Sequence, residues 1–179
     1  MSQIVFNDKT YEIPAGYYAV ATRAVSANVA NLNGDYFPTS VLEDAVSSYI
    51  GCQKVFVDHV TDIPEESSAE IDRTVSRGYV EDAVFKDDTI YLLIYVSKKF
   101  PELAEAILSG GINAVSMGCM SSVVCGVCGR ADDCQHLRRI ENGMAEEGEF
   151  EILDDVEFIE ISFVFDPADP TALIYKVVW

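Results

Sequence analysis

The stretch VEFIEISFVFDP, residues 156–167, limits the possible fold more than any other part of the chain. Read as a strand, it sets Ile159, Ile161, Phe163 and Phe165 on one face and Val156, Phe158, Glu160, Ser162 and Val164 on the other. Both faces are mostly apolar, as in a strand covered on both sides within a layered β structure. Glu160 is then a carboxylate where a buried charge is costly unless it is paired. A hydrogen bond to an imidazole would compensate that cost, and so would an arginine such as Arg23.

The rest of the chain supplies partners for such a strand. YYAVATRAVSA (17–27), KVFVDH (54–59), INAVSMGC (112–119) and ALIYKVV (172–178) read as strands. TVSRGYVEDAVF and TIYLLIYVS read as a strand pair joined by the turn KDD. TSVLEDAVSSYIG (39–51) reads as a helix with Ser40 and Glu43 as a capping box and Gly51 as its stop. PELAEAILSGG reads as a second, short helix, NLNGDYFP (31–38) as a loop, and EESSAEID (65–72) as an acidic loop. The predicted fold is β-rich α+β, a compact mixed β-barrel of about six to eight strands with two or more short helices. The 179 residues suffice for a single domain, 1–179, with a substantial core.

Apolar runs are too short to cross a bilayer, and MSQIVFNDKTYEIPAG lacks the basic and apolar regions of a signal peptide. The expectation is therefore a cytosolic protein without a membrane segment. A formal net charge of −18 opposes binding to nucleic acid and to anionic membrane. It serves solubility, or work among basic partners. No phosphate-binding glycine loop is present; the glycines of SGG (109–111) stop a helix.

In an extended segment, Ile112, Ala114, Ser116 and Gly118 share a face, opposite Val115, Met117 and Cys119. The small neighbours would let a substrate backbone approach Ser116, although an ordinary strand serine fits the segment as well. A nucleophilic serine needs a base. Of the two histidines, His59 follows the apolar run VFV at a strand end, a place for a base with a fixed backbone, and equally for a capping or surface histidine. Glu160 is the candidate that would orient the imidazole, with Asp166 as the alternative. Asp58 is the weaker rival, since adjacent strand residues point to opposite faces.

Five cysteines in a chain without an export signal argue against structural disulfides. Cys52 stands alone and reads as a small buried residue. Cys125, Cys128, Cys134 and His136 form C-x2-C-x5-C-x-H, a donor set for a closed, tetrahedral structural zinc, with reduced thiols as the other reading. Cys119 is the alternative ligand to His136. Four protein ligands leave no open position for catalysis. A knuckle-like insertion over 120–140 would use zinc in place of a hydrophobic core that so short a segment cannot build.

The segments NGDYFPTSVLEDA, KVFVDH, FPELAEAILSGGINAVSMGC, CGVCG…CQH and IEISFVFDPADPTA, in this order across residues 31–172, resemble the prohead (capsid maturation) serine proteases of tailed bacteriophages. That family is related in fold to the herpesvirus assemblins. The resemblance implies a β-barrel endopeptidase with Ser116 as nucleophile, His59 as base and Glu160 or Asp166 as third member, acting through an acyl-enzyme. Zinc would be structural only, and the chemistry would need no cofactor. Several relatives carry a Cys/His cluster after the serine strand. Implied substrates are scaffold and major capsid precursors, cut inside the assembling prohead in the host cytoplasm, and a homo-oligomer is compatible with this setting. Family members often carry a C-terminal extension, and the expectation from the resemblance is a trimmed or mature form. Two competing readings are an inactive protease-fold assembly protein that binds capsid precursors and a small zinc-binding interaction module.

Overall fold

The computed structural model describes residues 2–58, 75–132 and 134–179. His59 and the predicted acidic loop 65–72 lie outside the described residues. The described residues hold ten strands and three α-helices. In chain order these are β1 (Gln3–Phe6), β2 (Lys9–Glu12), β3 (Tyr17–Ser26), β4 (Asp35–Tyr36), α1 (Thr39–Ala45), β5 (Val55–Val57), β6 (Gly78–Lys86) and β7 (Thr89–Ser97). There follow α2 (Pro101–Leu108), β8 (Ala114–Cys125), α3 (Gln135–Glu141), β9 (Glu151–Val164) and β10 (Ile174–Val178).

One sheet has the order β10-β3-β7-β6. Its central strands explain the unbroken apolar run of TIYLLIYVS. Ile90, Leu92, Ile94 and Val96 enter the main core, while Leu93 and Tyr95 face the other way, against Ile4 and Phe6 of the β1–β2 hairpin. Both faces of this sheet are thus covered, and the period-2 alternation carries apolar side chains in both phases. The hairpin and β6–β7 turn at Asn7-Asp8 and Asp87-Asp88, all four with positive φ, as tight turns between right-twisted strands require.

The second sheet is built around β9. β8 pairs antiparallel along most of its length, so β4 and β5, both parallel to β9, share its other edge at opposite ends. The main core lies between the two sheets, and α1 and α2 add Leu42, Ala45, Leu103 and Ile107 to it.

The expectation of a closed barrel is corrected. Among the described residues no continuous ladder joins the sheets. They meet through a single bridge, Ala114–Leu173, with Val115 N–H donating to Ala172 O at 2.9 Å, and through Arg77 N–H to Val55 O near β5 and β6. The architecture is an antiparallel sheet packed on a mixed one, open at the seams. The strand count exceeds the predicted range because the β1–β2 hairpin and the two-residue β4 add to it.

The first helix also differs. It starts at Thr39 with Pro38 as N-cap and no side-chain cap, so Ser40 and Glu43 form no capping box. It tightens into a 3₁₀ turn at Val46–Tyr49 and ends before Gly51, whose φ of +77° is the left-handed stop expected there.

Candidate active site

The sequence of β9 is read correctly by alternation only beyond Ile159. Gly118 pairs with Glu160 but Cys119 pairs with Phe158, so Ile159 is an extra residue, a β-bulge. The bulge moves Phe158 to the core side with Ile161 and Phe163, and leaves Glu160 and Ser162 together on the opposite face. Phe165 lies past the strand end and is 59% exposed, so it does not join the core face.

Three adjacent strands then define the site. On the core face stand Val55 and Val57 of β5, Ile161 and Phe163 of β9, and Val115 of β8. The opposite face carries Phe56, Ser162 and Ser116 in one cross-strand row, since Ser162 is the register partner of both neighbours. The next row pairs Glu160 with Gly118. Ser116 and Glu160 are therefore diagonal neighbours on one face, Ser116 half-buried and Glu160 half-buried.

Ser162 is fully buried, and its hydroxyl donates to Glu160 Oε2 at 3.0 Å. Gly118 was expected to admit a substrate backbone. Instead, a Cβ added there would fall 2.6 Å from Glu160 Cγ and 2.7 Å from Oε1, so the glutamate side chain occupies that space.

Asp58, the last described residue before His59, has φ +49° and donates its backbone N–H to Phe163 O at 3.1 Å. β5 has already ended at Val57, so strand alternation no longer relates the side of Asp58 to that of His59. Asp166 is exposed in the bend after β9, beyond Val164. Arg23 lies in the other sheet, where its guanidinium donates to Thr89 Oγ1 at 3.4 Å.

β8 does not stop after the serine. It runs to Cys125, so Ser116 and the first cysteine of the cluster stand on one strand. Cys125, Cys128, Cys134 and His136 present ligand atoms that all lie within 4.8 Å of one another, a group able to hold a metal ion. Cys125 Sγ is 3.5 Å and Cys134 Sγ 4.0 Å from His136 Nδ1. The Cys125 and Cys134 sulfurs accept backbone N–H groups of Cys128 and Leu137, each at 3.5 Å, and Cys134 thereby caps α3. Burial pushes the Cys125 thiol up, but the amides of Cys128 and Val127 and the neighbouring thiols outweigh it and hold it below its ordinary range. Cys119 stands apart, packed against the core, and burial, with Asp35 and Glu151 nearby, pushes its thiol up to about 11.

No protein-family model and no curated protein sequence matches the chain. Among solved structures, the bacteriophage T4 capsid assembly protease, gp21, superposes with a TM-score of 0.55 at 19% identity, covering 83% of this chain and 82% of that one. The chain shares the fold of a phage capsid assembly protease. At this identity the likeness to gp21 concerns the fold alone.

A cleft of about 950 Å³ between α3, β4 and the far ends of β8 and β9 is lined by Leu32, Val123, Ile140 and Glu151, away from the Ser116 row. Alternation along β9 had already put Ser162 beside Glu160, but nothing in the sequence marked its hydroxyl as the one that binds the carboxylate. The pair Arg139–Glu149, which ties α3 to the approach of β9, was also missed. Its guanidinium, with the Glu146 amide, holds the Glu149 carboxyl down at about 2. No helix among the described residues is long and apolar enough to cross a membrane.

Proposed function

We propose that the chain is a serine endopeptidase that processes scaffold and capsid precursors inside an assembling phage prohead. The observation that carries this reading is the diagonal placement of Ser116 and Glu160 on one sheet face, next to the strand that leads into His59, in a chain that shares a fold with gp21. Diagonal neighbours across an antiparallel pair have Cβ atoms about 7 Å apart. That leaves room for an imidazole with one hydrogen bond to the hydroxyl and one to the carboxylate.

In this reading His59 takes the Ser116 proton as Oγ attacks the scissile carbonyl. Collapse of the tetrahedral species breaks the C–N bond, and His59 returns the proton to the leaving amine. Water, deprotonated by His59, then cleaves the acyl-enzyme ester and restores Ser116. Glu160 holds the ring in the required tautomer and supports the imidazolium.

Cys125, Cys128, Cys134 and His136 would hold a structural zinc. Zinc–sulfur bonds of about 2.3 Å and a zinc–nitrogen bond of about 2.0–2.1 Å at tetrahedral angles imply sulfur–nitrogen separations of about 3.6 Å, close to the 3.5 and 4.0 Å observed. Zinc would supply cross-linking there and no catalytic step, because four protein ligands complete its shell.

The test is covalent labelling of Ser116 by a fluorophosphonate, with cleavage of capsid and scaffold precursors assayed in parallel. The wild-type chain should label at Ser116 and cleave. Ser116→Ala, folded as judged by its unfolding midpoint, should do neither. Cleavage by that variant at the wild-type rate would reject the nucleophile, and absence of labelling and cleavage in the wild type would favour a non-catalytic assembly role.

A further inference from the structure

Buried hydroxyls occur where they have a partner, and the partner of Ser162 is the carboxylate next to the candidate nucleophile. Ser162 is also the register neighbour of Ser116 on one side and of Phe56 on the other, so it stands at the centre of the row that bears the nucleophile. A serine hydroxyl has one proton to donate, and here it goes to Glu160 Oε2. It therefore works on the glutamate and is not set up as a second nucleophile. Its backbone is fixed by the ladders to both neighbouring strands, which makes it a stiff anchor for a longer, rotatable side chain.

Gly118 acts on the same side chain by leaving space. Its φ is not in the left-handed region, so backbone freedom does not explain a glycine here. The explanation is steric: the position a Cβ would take is within 2.7 Å of Glu160 Cγ and Oε1. With glycine at 118, the glutamate lies across the ladder over the serine strand. With any larger residue it would have to turn away.

We propose that Ser162 and Gly118 are positioning residues that hold the Glu160 carboxylate over the Ser116 strand, Ser162 by fixing Oε2 and Gly118 by making room for the side chain. This rests on the reading of Ser116, His59 and Glu160 as a triad. Neither residue needs to touch substrate. A triad member displaced by about an ångström loses roughly a hundredfold in rate, so an anchor and a vacant Cβ position next to the orienting acid are where precision would be set.

The experiment measures the kinetics of Ser116 labelling by a fluorophosphonate at varied probe concentration in the full chain. Four variants are compared with wild type: Ser162→Ala, Glu160→Gln, the double variant and Gly118→Ala, each with its unfolding midpoint recorded. Ser162→Ala should lower the maximal labelling rate by about 10- to 100-fold, with the half-saturating concentration unchanged, because alignment is lost and probe binding is not. In the Glu160→Gln background the same change should cost less than about threefold, since residues that act as one unit are non-additive. Gly118→Ala should lower the maximal rate to a similar degree while remaining folded.

Equal losses from Ser162→Ala in both backgrounds would overturn the role of Ser162, because it would then act independently of Glu160. A slow Glu160→Gln with an unaffected Ser162→Ala would also overturn it and leave the triad reading standing. A wild-type rate in Glu160→Gln would overturn the triad reading itself, and the two positioning roles with it. A folded Gly118→Ala that labels at the wild-type rate would remove Gly118 from the account.

Discussion

Glu160 and Asp166 are the two acids that sequence alone offers for one role, and their settings differ. Glu160 is half-buried, anchored by Ser162 and diagonal to Ser116, whereas Asp166 is exposed in the bend after β9. Glu160→Gln should therefore lower turnover by orders of magnitude, as loss of an orienting carboxylate does, while Asp166→Asn should change it by less than about threefold, as for an exposed side chain. Precursor-cleavage rates of the two variants decide between the acids; a severe Asp166→Asn with a silent Glu160→Gln would transfer the role. Activity should also fall as pH drops through the range in which imidazole protonates, near pH 6.5. Much of the placement of these residues on the strands was legible in the sequence. Strand alternation suffices to put Ser116 opposite Val115 and Met117, and to mark Glu160 as an acid within an apolar strand. The bulge at Ile159 was not legible, because a bulge is a property of two strands in register and leaves no mark in either one alone. The same limit explains Gly118: its missing Cβ looked like room for substrate until the partner strand showed what fills it.

At the scale of elements, β8 connects the candidate nucleophile to the Cys/His cluster without a break, and sequence reasoning had the strand ending before the cluster began. Removing metal should therefore disorder the segment after Cys125 without unfolding the sheets, which have a core of their own. Elemental analysis should find about one zinc per chain. Chelation followed by hydrogen exchange should show fast exchange in residues 126–142 and retained protection in β3 and β7. Retained order of that segment in metal-free, reduced protein would reject the structural role of the ion. The β1–β2 hairpin is a second separable element. Tyr11 donates to Asp82 across to β6, and burial, then this hydrogen bond, push its hydroxyl up to about 12. The unfolded chain releases that proton near pH 10. Between pH 10 and 12 the folded state thus holds a proton the unfolded state lacks, so the stability the pair contributes is complete below pH 10 and lost as pH rises to 12. Tyr11→Phe should cost about 1 kcal/mol at pH 7, and the gap to wild type in urea midpoint should narrow above pH 10. A gap that stays constant to pH 12 would mean that the bond contributes nothing. The hairpin escaped the sequence reading because its strands have four residues each and the exposed Val5 between buried Ile4 and Phe6 hides the alternation of the first, and α3 because its cap is a cysteine in a polar stretch.

At the scale of the whole molecule, the question is whether the two sheets fold as one body. The seams are thin, with one isolated bridge and a few backbone hydrogen bonds, so cohesion has to come from the core. That core is shared: Val20, Leu92 and Ile94 of one sheet pack in the same cluster as Val115, Ile161 and Phe163 of the other. Phe163 is fully buried, is paired on both edges, and is the acceptor that fixes Asp58 before His59. The hairpin cluster of Ile4, Phe6, Leu93 and Tyr95 lies on the outer face and involves one sheet only. Two core truncations of similar size should therefore have different consequences. Phe163→Ala should cost about 3–5 kcal/mol, a large share of the about 5–15 kcal/mol that stabilises a typical domain. Because Phe163 belongs to the core cluster that residues of both sheets share, the loss should lower one common unfolding transition seen by tryptophan fluorescence and by far-UV dichroism alike, and serine labelling should fall with it. Phe6→Ala should chiefly release the hairpin, giving fast hydrogen exchange in residues 2–13 while Ser116 still labels at the wild-type rate. Two separated transitions in Phe163→Ala, one for each sheet, would show that the thin seams and not the shared core set the cooperativity, and would count against a single folding unit over residues 1–179.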